Sequence, residues 1–267
     1  MPISLRDLIQ KDFGVDLPIA GGYGASADDP ILIMTEDPAC AARTQMQVLR
    51  CIGRGREILW RRLSCTRLDR KDRSLDQVAI ETKAIDPQRV TTTRANYYFD
   101  VTAADSANNG LPAAPGFLDQ TSGIELPFEI GWLHFESVLE NKPDIAGHGC
   151  VIAHVALGIK ATVYIYLPEN PQARRLDELA AIEFDAAVGD VVTMNPQLDP
   201  VSGPRVTGRF LRQDFRSRDE RSVLALAVAN DRLVKVRMTS NAQPEFIEAA
   251  EDSLEVLIRD IRRAIDR

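Results

Sequence analysis

EILWRRLSCTRL (residues 57–68), DRKDR (69–73) and SLDQVAIETKAI (74–85), followed by RVTTTRANYYFDVT (89–102), decide how this chain is read. Apolar and polar residues alternate on either side of the short polar segment, and side chains on a strand change face with that period of two. The pattern predicts a hairpin over 57–85 and a third strand, rich in β-branched and aromatic residues, over 89–102. In ANYYFDV the alternation sends Tyr97, Phe99 and Val101 to one face. Hairpins with few helices between them indicate antiparallel sheets and an α+β class, because a doubly wound parallel sheet needs strand and helix to alternate throughout.

Upstream of the hairpin, Leu5, Leu8, Ile9 and Phe13 recur at helical spacing behind a candidate N-cap, Ser4, and Gly14 ends the run. LPIAGGYGASADDP (17–30) reads as turns and ILIMT (31–35) as a strand. QMQVLRCI (45–52) alternates and is expected to be extended, with Met46, Val48 and Arg50 on one side and Gly53-Arg54-Gly55 as a turn. Residues 103–123 carry no apolar period and read as a linker between two α+β domains, 1–102 and 124–267, each expected to be an antiparallel sheet with flanking helices.

The second domain starts with LPFEIGWLHFESVLEN and a turn at Gly147 and Gly149, followed by strands at CVIAHVAL and KATVYIYL. In the latter, Val163 and Ile165 oppose Thr162, Tyr164 and Tyr166. A helix over 174–192 has Leu176, Leu179, Ala180, Ala187 and Val191 as its stripe. Strands at RVTGRFLRQDF and SVLALAVA lead to a tight turn at Asn230-Asp231 and the strand RLVKVRMT. A closing helix from about Gln243 to Ile265 is lined by Ile247, Ala250, Leu254, Leu257, Ile258, Ile261 and Ile265.

With 267 residues, 45% hydrophobic and 27% charged, the composition suits one large or two modest domains. Lys+Arg 32 against Asp+Glu 39 gives −7, which argues against a surface that binds nucleic acid or an anionic membrane as a whole. No run of about 18 apolar residues is present to cross a bilayer, and MPISLRDLIQKDFGVD lacks a secretory pattern. Cys40, Cys51, Cys65 and Cys150 form no C-x-x-C pair, so they read as isolated thiols of a reducing, cytoplasmic setting.

Between residues 43 and 73, ten basic residues face three acids, a local balance of +7 that leaves −14 for the rest of the chain. Such asymmetry predicts a polarised surface. Arg61 and Arg67 are an even number of residues apart and are expected on one face of the hairpin. A second group, Arg205, Arg209, Arg212, Arg216, Arg218 and Arg221, is diluted by Asp214, Asp219 and Glu220 and reads as the solvated side of a hairpin.

The order LPFEIGWLHFESV, glycine turn, KATVYIYL, helix, SVLALAVANDRLVKVRMT and terminal helix resembles the PsbP-like α+β sandwich over residues 124–267. Tyr164, Tyr166, Lys235 and Arg237 fall where bacterial relatives carry similar strand residues, and His148 and Cys150 depart from the pattern. The resemblance implies an α/β/α-type sandwich that serves as a non-catalytic binding scaffold. The first half, with GGYGASADDPILI, Trp60 and the YYFDVT strand, is similar to a bacterial domain that brings no function with it.

Catalytic sets are incomplete. His134-Phe135-Glu136 lacks the Pro-Cys-x-x-Cys element of zinc deaminases, and Gly22-Tyr23-Gly24 lacks the third glycine of a dinucleotide fingerprint. The expected function is therefore an adaptor of a bacterial cytoplasm that takes no metal or cofactor. It would dock an acidic protein through Arg54, Arg56, Arg61, Arg62 and Arg67, with Tyr164 and Tyr166 extending the surface. Two alternatives stay open. One is a metal- or carboxylate-dependent hydrolase using His148, Cys150, His154, Asp28 and Asp29. The other is a small-molecule sensor with a pocket between the domains.

Overall fold

Ser4 caps the first helix as expected. Its hydroxyl accepts a hydrogen bond from the Asp7 amide at 3.1 Å, α1 runs Leu5–Phe13, and Gly14 ends it in the left-handed region with φ 68°. A computed structural model describes residues 3–70, 72–86, 89–105, 116–119, 122–139, 150–168 and 175–265. Contacts divide the chain into two units, Met1–Pro115 and Gly116–Arg267. The first continues with β1 (Ile19–Ser26), β2 (Asp29–Ile33), α2 (Pro38–Gly55), β3 (Ile58–Arg70), β4 (Arg73–Asp86), β5 (Arg89–Asp100) and the single turn α3 (Thr102–Asp105).

The hairpin is β3–β4, and β5 pairs with β4 along its length. Tyr97, Phe99 and Val101 are buried together, as their alternation requires. The sheet order is β1-β2-β5-β4-β3. Every pair is antiparallel except β2–β5, which is parallel because α2 and the hairpin intervene before the chain returns beside β2. Leu5 and Ile9 of α1 and Val48, Leu49 and Cys51 of α2 cover one face, over Val78, Ile80 and Phe99.

Two local readings are corrected. Residues 45–52, expected as a strand, lie in the middle of α2. The Asp37 carboxylate accepts from the Ala39 amide at 3.0 Å, Pro38 follows as a first-turn residue, and the buried Ala41, Thr44, Gln45, Val48 and Leu49 repeat at helical spacing. Gly53 lets this helix approach β3, since a Cβ there would stand 2.4 Å from Trp60 Cδ1. The glycine-rich stretch expected as turns is largely β1. Gly24 has φ 73°, a conformation L side chains rarely adopt, inside an irregular register between Gly21 and Ser26.

Within the segment expected as a linker, residues 103–105 belong to α3 and Gly116–Leu118 pair with a strand of the second unit; residues 106–115 lie outside the described part. That unit runs β6 (Gly116–Leu118), β7 (Glu125–Pro127), β8 (Glu129–Ile130), β9 (Leu133–Leu139), β10 (Cys150–Ala156), β11 (Ile159–Tyr166), α4 (Leu176–Met194), β12 (Asp199–Pro200), β13 (Arg205–Thr207), β14 (Phe210–Arg216), β15 (Glu220–Ala229), β16 (Arg232–Asn241) and α5 (Pro244–Ile265). The main sheet has the order β12-β14-β15-β16-β11-β10-β9-β8, with β13 on β14. Asn230 and Asp231, at φ 48° and 56°, make the tight turn between β15 and β16.

Two helices sandwich this sheet. On one face Ala180, Phe184, Ala187 and Val191 of α4 pack over Leu224, Leu226, Leu233 and Tyr166. On the other, α5 lies against β15 and β16 with Leu254, Leu257, Ile258 and Ile261 buried. The molecule is thus α+β in two units, and among the described residues no helix is long and apolar enough to cross a membrane. The turn expected at Gly147 and Gly149 lies outside the described residues.

Ser253 holds α5 to the start of the sheet. Its hydroxyl accepts from the Trp132 amide at 3.0 Å and donates to the Ala249 carbonyl at 2.7 Å, all within the interior. Gly131, at φ 61°, leaves room for it, because a Cβ would stand 2.8 Å from Ser253 Oγ. Gly131→Ala is expected to destabilise the second unit by ~1–3 kcal/mol through backbone strain and this clash. Ser253→Ala should cost a similar amount by removing the hydroxyl that accepts from the buried Trp132 amide. Urea unfolding followed by circular dichroism checks both, and unchanged midpoints would contradict this packing.

Candidate functional site

The arginines singled out from the sequence separate into two classes. Arg67 is held inside the first unit. Its Nε donates to Asp76 Oδ1 at 2.7 Å and its Nη1 to Asp105, while Gln45 Nε2 of α2 donates to Asp76 Oδ2 at 2.8 Å. Asp105 also accepts from the Ser74 hydroxyl, and the Ser74 hydrogen bond, with Arg67 beside it, holds the Asp105 carboxyl below its ordinary range. Arg61 pairs with Glu81 at 2.7 Å, and Arg94 approaches the same carboxylate at 3.6 Å.

Arg61 and Arg67 were expected to share a face, and they do not. The β3–β4 register slips by one residue between Arg62 and Ser64, with Leu63 as the extra residue. Arg61 pairs across from Glu81 and Arg67 from Asp76, and those two carboxylates, five residues apart on β4, point to opposite sides. Arg62 is half-buried, opposite Ile80 on the side covered by the helices.

Arg54 and Arg56 are different. Both are exposed at the C-terminal end of α2. The Arg54 guanidinium carbon stands 5.8 Å from the centre of the Phe13 ring, and Arg56 Nη1 donates to the Tyr97 hydroxyl at 3.5 Å. Among the described residues neither has a carboxylate partner.

Beside them is a cavity of about 590 Å³, within the size range of small-molecule sites. Leu5, Leu8, Ile9 and Phe13 of α1, Cys51 and Ile52 of α2, and Ala25 and Ala95 of the sheet form its apolar lining. Asp12, Tyr23, Arg56, Asn96 and Tyr97 supply the polar groups. The Tyr23 hydroxyl is engaged by the Ile3 carbonyl at 2.6 Å. Burial raises the pKa of the Cys51 thiol even though Arg50 and Arg54 act the other way. Sequence reasoning missed this cavity because it depends on α2 being a helix; Leu8 and Phe13 carried only the signal of a core stripe.

The two tyrosines belong to the second unit. Tyr166 is buried under α4 with its hydroxyl 3.5 Å from Glu183, which removes it from any docking surface; burial first, then Glu183, raises its pKa. Tyr164 is half-buried and carries the Lys235 ammonium 4.8 Å from its ring centre, with Tyr166 at 5.5 Å from the same nitrogen. Burial lowers the Lys235 pKa against the opposing pull of Glu183 and Asp190. Arg212, read as solvated, is buried and ties β14 to α5 through Asp214 at 2.7 Å and Glu251 at 2.6 Å.

The described members of the hydrolase set have other partners or are desolvated. Asp28 faces Arg70 at 3.2 Å, and Asp29 accepts from the Tyr23 amide at 3.3 Å. His154 is buried with Nε2 3.0 Å from the Pro127 carbonyl oxygen, and its desolvated ring has its pKa pushed down to about 4. Burial and the nearby Asp119 push the Cys150 thiol up to about 12, so it stays protonated. His148 lies outside the described residues, and among those described no cluster of three or more His, Cys, Asp or Glu could hold a metal ion.

No family model and no curated protein matches the chain. Among solved structures it is similar to cyanobacterial PsbP (CyanoP) from Synechocystis sp. PCC 6803, with 12% identity and a TM-score of 0.40 over 57% of this chain and 95% of that one. It is also similar to the immunity protein TplEi of T6SS from Pseudomonas aeruginosa, with 8% identity and a TM-score of 0.28 over 82% of this chain and 83% of that one. At these scores neither likeness carries a function.

Two outcomes follow from this geometry. Arg67→Ala should destabilise the first unit by about 2–4 kcal/mol, because it takes the countercharge from both Asp76 and Asp105, whereas Arg61→Ala should cost less, about 1–2 kcal/mol, because Arg94 stays 3.6 Å from the buried Glu81; denaturant titration of the two variants checks the difference. For His154, an unfolded chain takes up a proton near pH 6.5 while the folded one resists until about 4. Stability should therefore fall as pH falls through that window. His154→Leu should flatten this slope, and an unchanged slope in the variant would contradict the assignment.

Proposed function

We propose that this protein is a non-catalytic binding protein that holds an acidic protein partner through Arg54 and Arg56 at the end of α2. The observation that carries the reading is their exposure without a carboxylate partner among the described residues, while Arg61 and Arg67 are neutralised by Glu81, Asp76 and Asp105. A guanidinium already paired within its own sheet has little left to offer, whereas an exposed one pairs bidentately with an incoming carboxylate. Cations also suit this position, where they offset the negative end of the helix. A bacterial cytoplasmic setting, suggested by four cysteines that form no disulfide, and a PsbP-like character of the second unit belong to the same reading.

Charge reversal tests it. Arg54→Glu with Arg56→Glu should weaken capture of the partner from source cells about tenfold or more, mainly through slower association, and the wild-type complex should weaken as salt is raised. Arg61→Gln should leave capture unchanged. Quantitative mass spectrometry of affinity-purified material reads both, and equal recovery with the double reversal would end the reading.

A further inference from the structure

We infer that the cavity of the first unit is a binding site for a small amphipathic carboxylate, its apolar chain among Leu5, Leu8, Ile9, Phe13 and Ile52 and its headgroup on Arg56. This goes beyond the docking of a protein partner.

The cavity exists because small residues meet where the helices end. Gly55, Ala25 and Ala95 stand where larger side chains would fill the space between α1, α2, β1 and β5. The walls left behind are mostly aliphatic and aromatic, so apolar matter is favoured inside over water. A neutral hydrocarbon would satisfy those walls alone. The charge at the rim selects further: Arg56 lines the cavity with donors free of any described carboxylate, beside the Tyr97 hydroxyl it already reaches at 3.5 Å. Arg54, stacked over Phe13 at 5.8 Å, adds a second positive charge nearby. One acid, Asp12, is exposed in the lining, so the two guanidinium groups leave the rim net positive. A planar carboxylate matches the guanidinium fork and the phenolic donor together. An amine would find one carboxylate and two repelling cations.

The site can be blocked without disturbing the fold. Gly55 ends α2 without a left-handed φ, and a Cβ there meets Phe13 Cζ at 3.4 Å, an ordinary contact directed into the cavity. Gly55→Leu should therefore fold and fill the space. Cys51, buried in the lining, reports occupancy through its alkylation rate, with exposed Cys65 as the reference thiol.

The test is calorimetric titration of the full chain with decanoate, below its micellar concentration, against decylamine and decanol. Decanoate should bind and slow alkylation of Cys51 by N-ethylmaleimide while Cys65 reacts as before. Arg56→Gln should weaken decanoate about tenfold, as loss of a charge-assisted hydrogen bond does, and leave decanol unaffected. Gly55→Leu should abolish binding, with circular dichroism confirming its fold. Absence of decanoate binding to the wild-type chain would overturn the inference, as would equal binding of decylamine or unchanged affinity in both variants. No protein partner is present in this assay, so its failure leaves the docking of an acidic protein standing.

Discussion

A carboxylate on the covered face of a sheet must be met by hydrogen bonds or a countercharge, since burying it alone costs far more than one domain can spare. Asp76 is that carboxylate in the first unit. Gln45 reaches it from α2 and Arg67 from the neighbouring strand, and Arg67 continues to Asp105 on α3. One guanidinium thereby fixes the position of helix, hairpin and following turn relative to one another. The bulge at Leu63 is what brings it to this side: without the extra residue, Arg67 would follow Arg61 onto the opposite face.

Much of the fold was legible in the sequence. The hairpin, the strand through Tyr97 and Phe99, the capped first helix and the long closing helix all carry a clear period and clear end signals. What was lost was lost for physical reasons. In residues 45–52 the alternation of polar and apolar residues over a few positions mimics a strand, because the buried face of α2 includes Thr44 and Gln45, polar residues with partners in the interior. Thr44 returns its hydroxyl to the Cys40 carbonyl and Gln45 serves Asp76, and neither partnership shows in a hydropathy pattern. The glycines of β1 read as turn residues because the strand itself contains left-handed positions.

The candidate site was legible only in part. Arg54 and Arg56 stood out as charge, yet so did Arg61 and Arg67, and local counting cannot separate them. The cavity depends on four elements, α1, α2, β1 and β5, converging around Gly55, Ala25 and Ala95, and small residues announce nothing by themselves.

The separation has a structural cause. On a strand, each side chain has a cross-strand neighbour about 5 Å away on the same face, so an arginine there readily finds an acid of its own sheet. Arg61 finds Glu81, Arg67 finds Asp76, and in the second unit the strand-borne Arg205 finds Asp214. The last turn of a helix offers no such row of opposite positions, and the backbone carbonyls exposed there favour a cation without neutralising it. A run of arginines spanning a helix end and a hairpin therefore turns inward along the hairpin and outward at the helix end. The local surplus of +7 between residues 43 and 73 overstates the charge the surface presents, and the exposed Arg54 and Arg56 stand beside the cavity of the first unit.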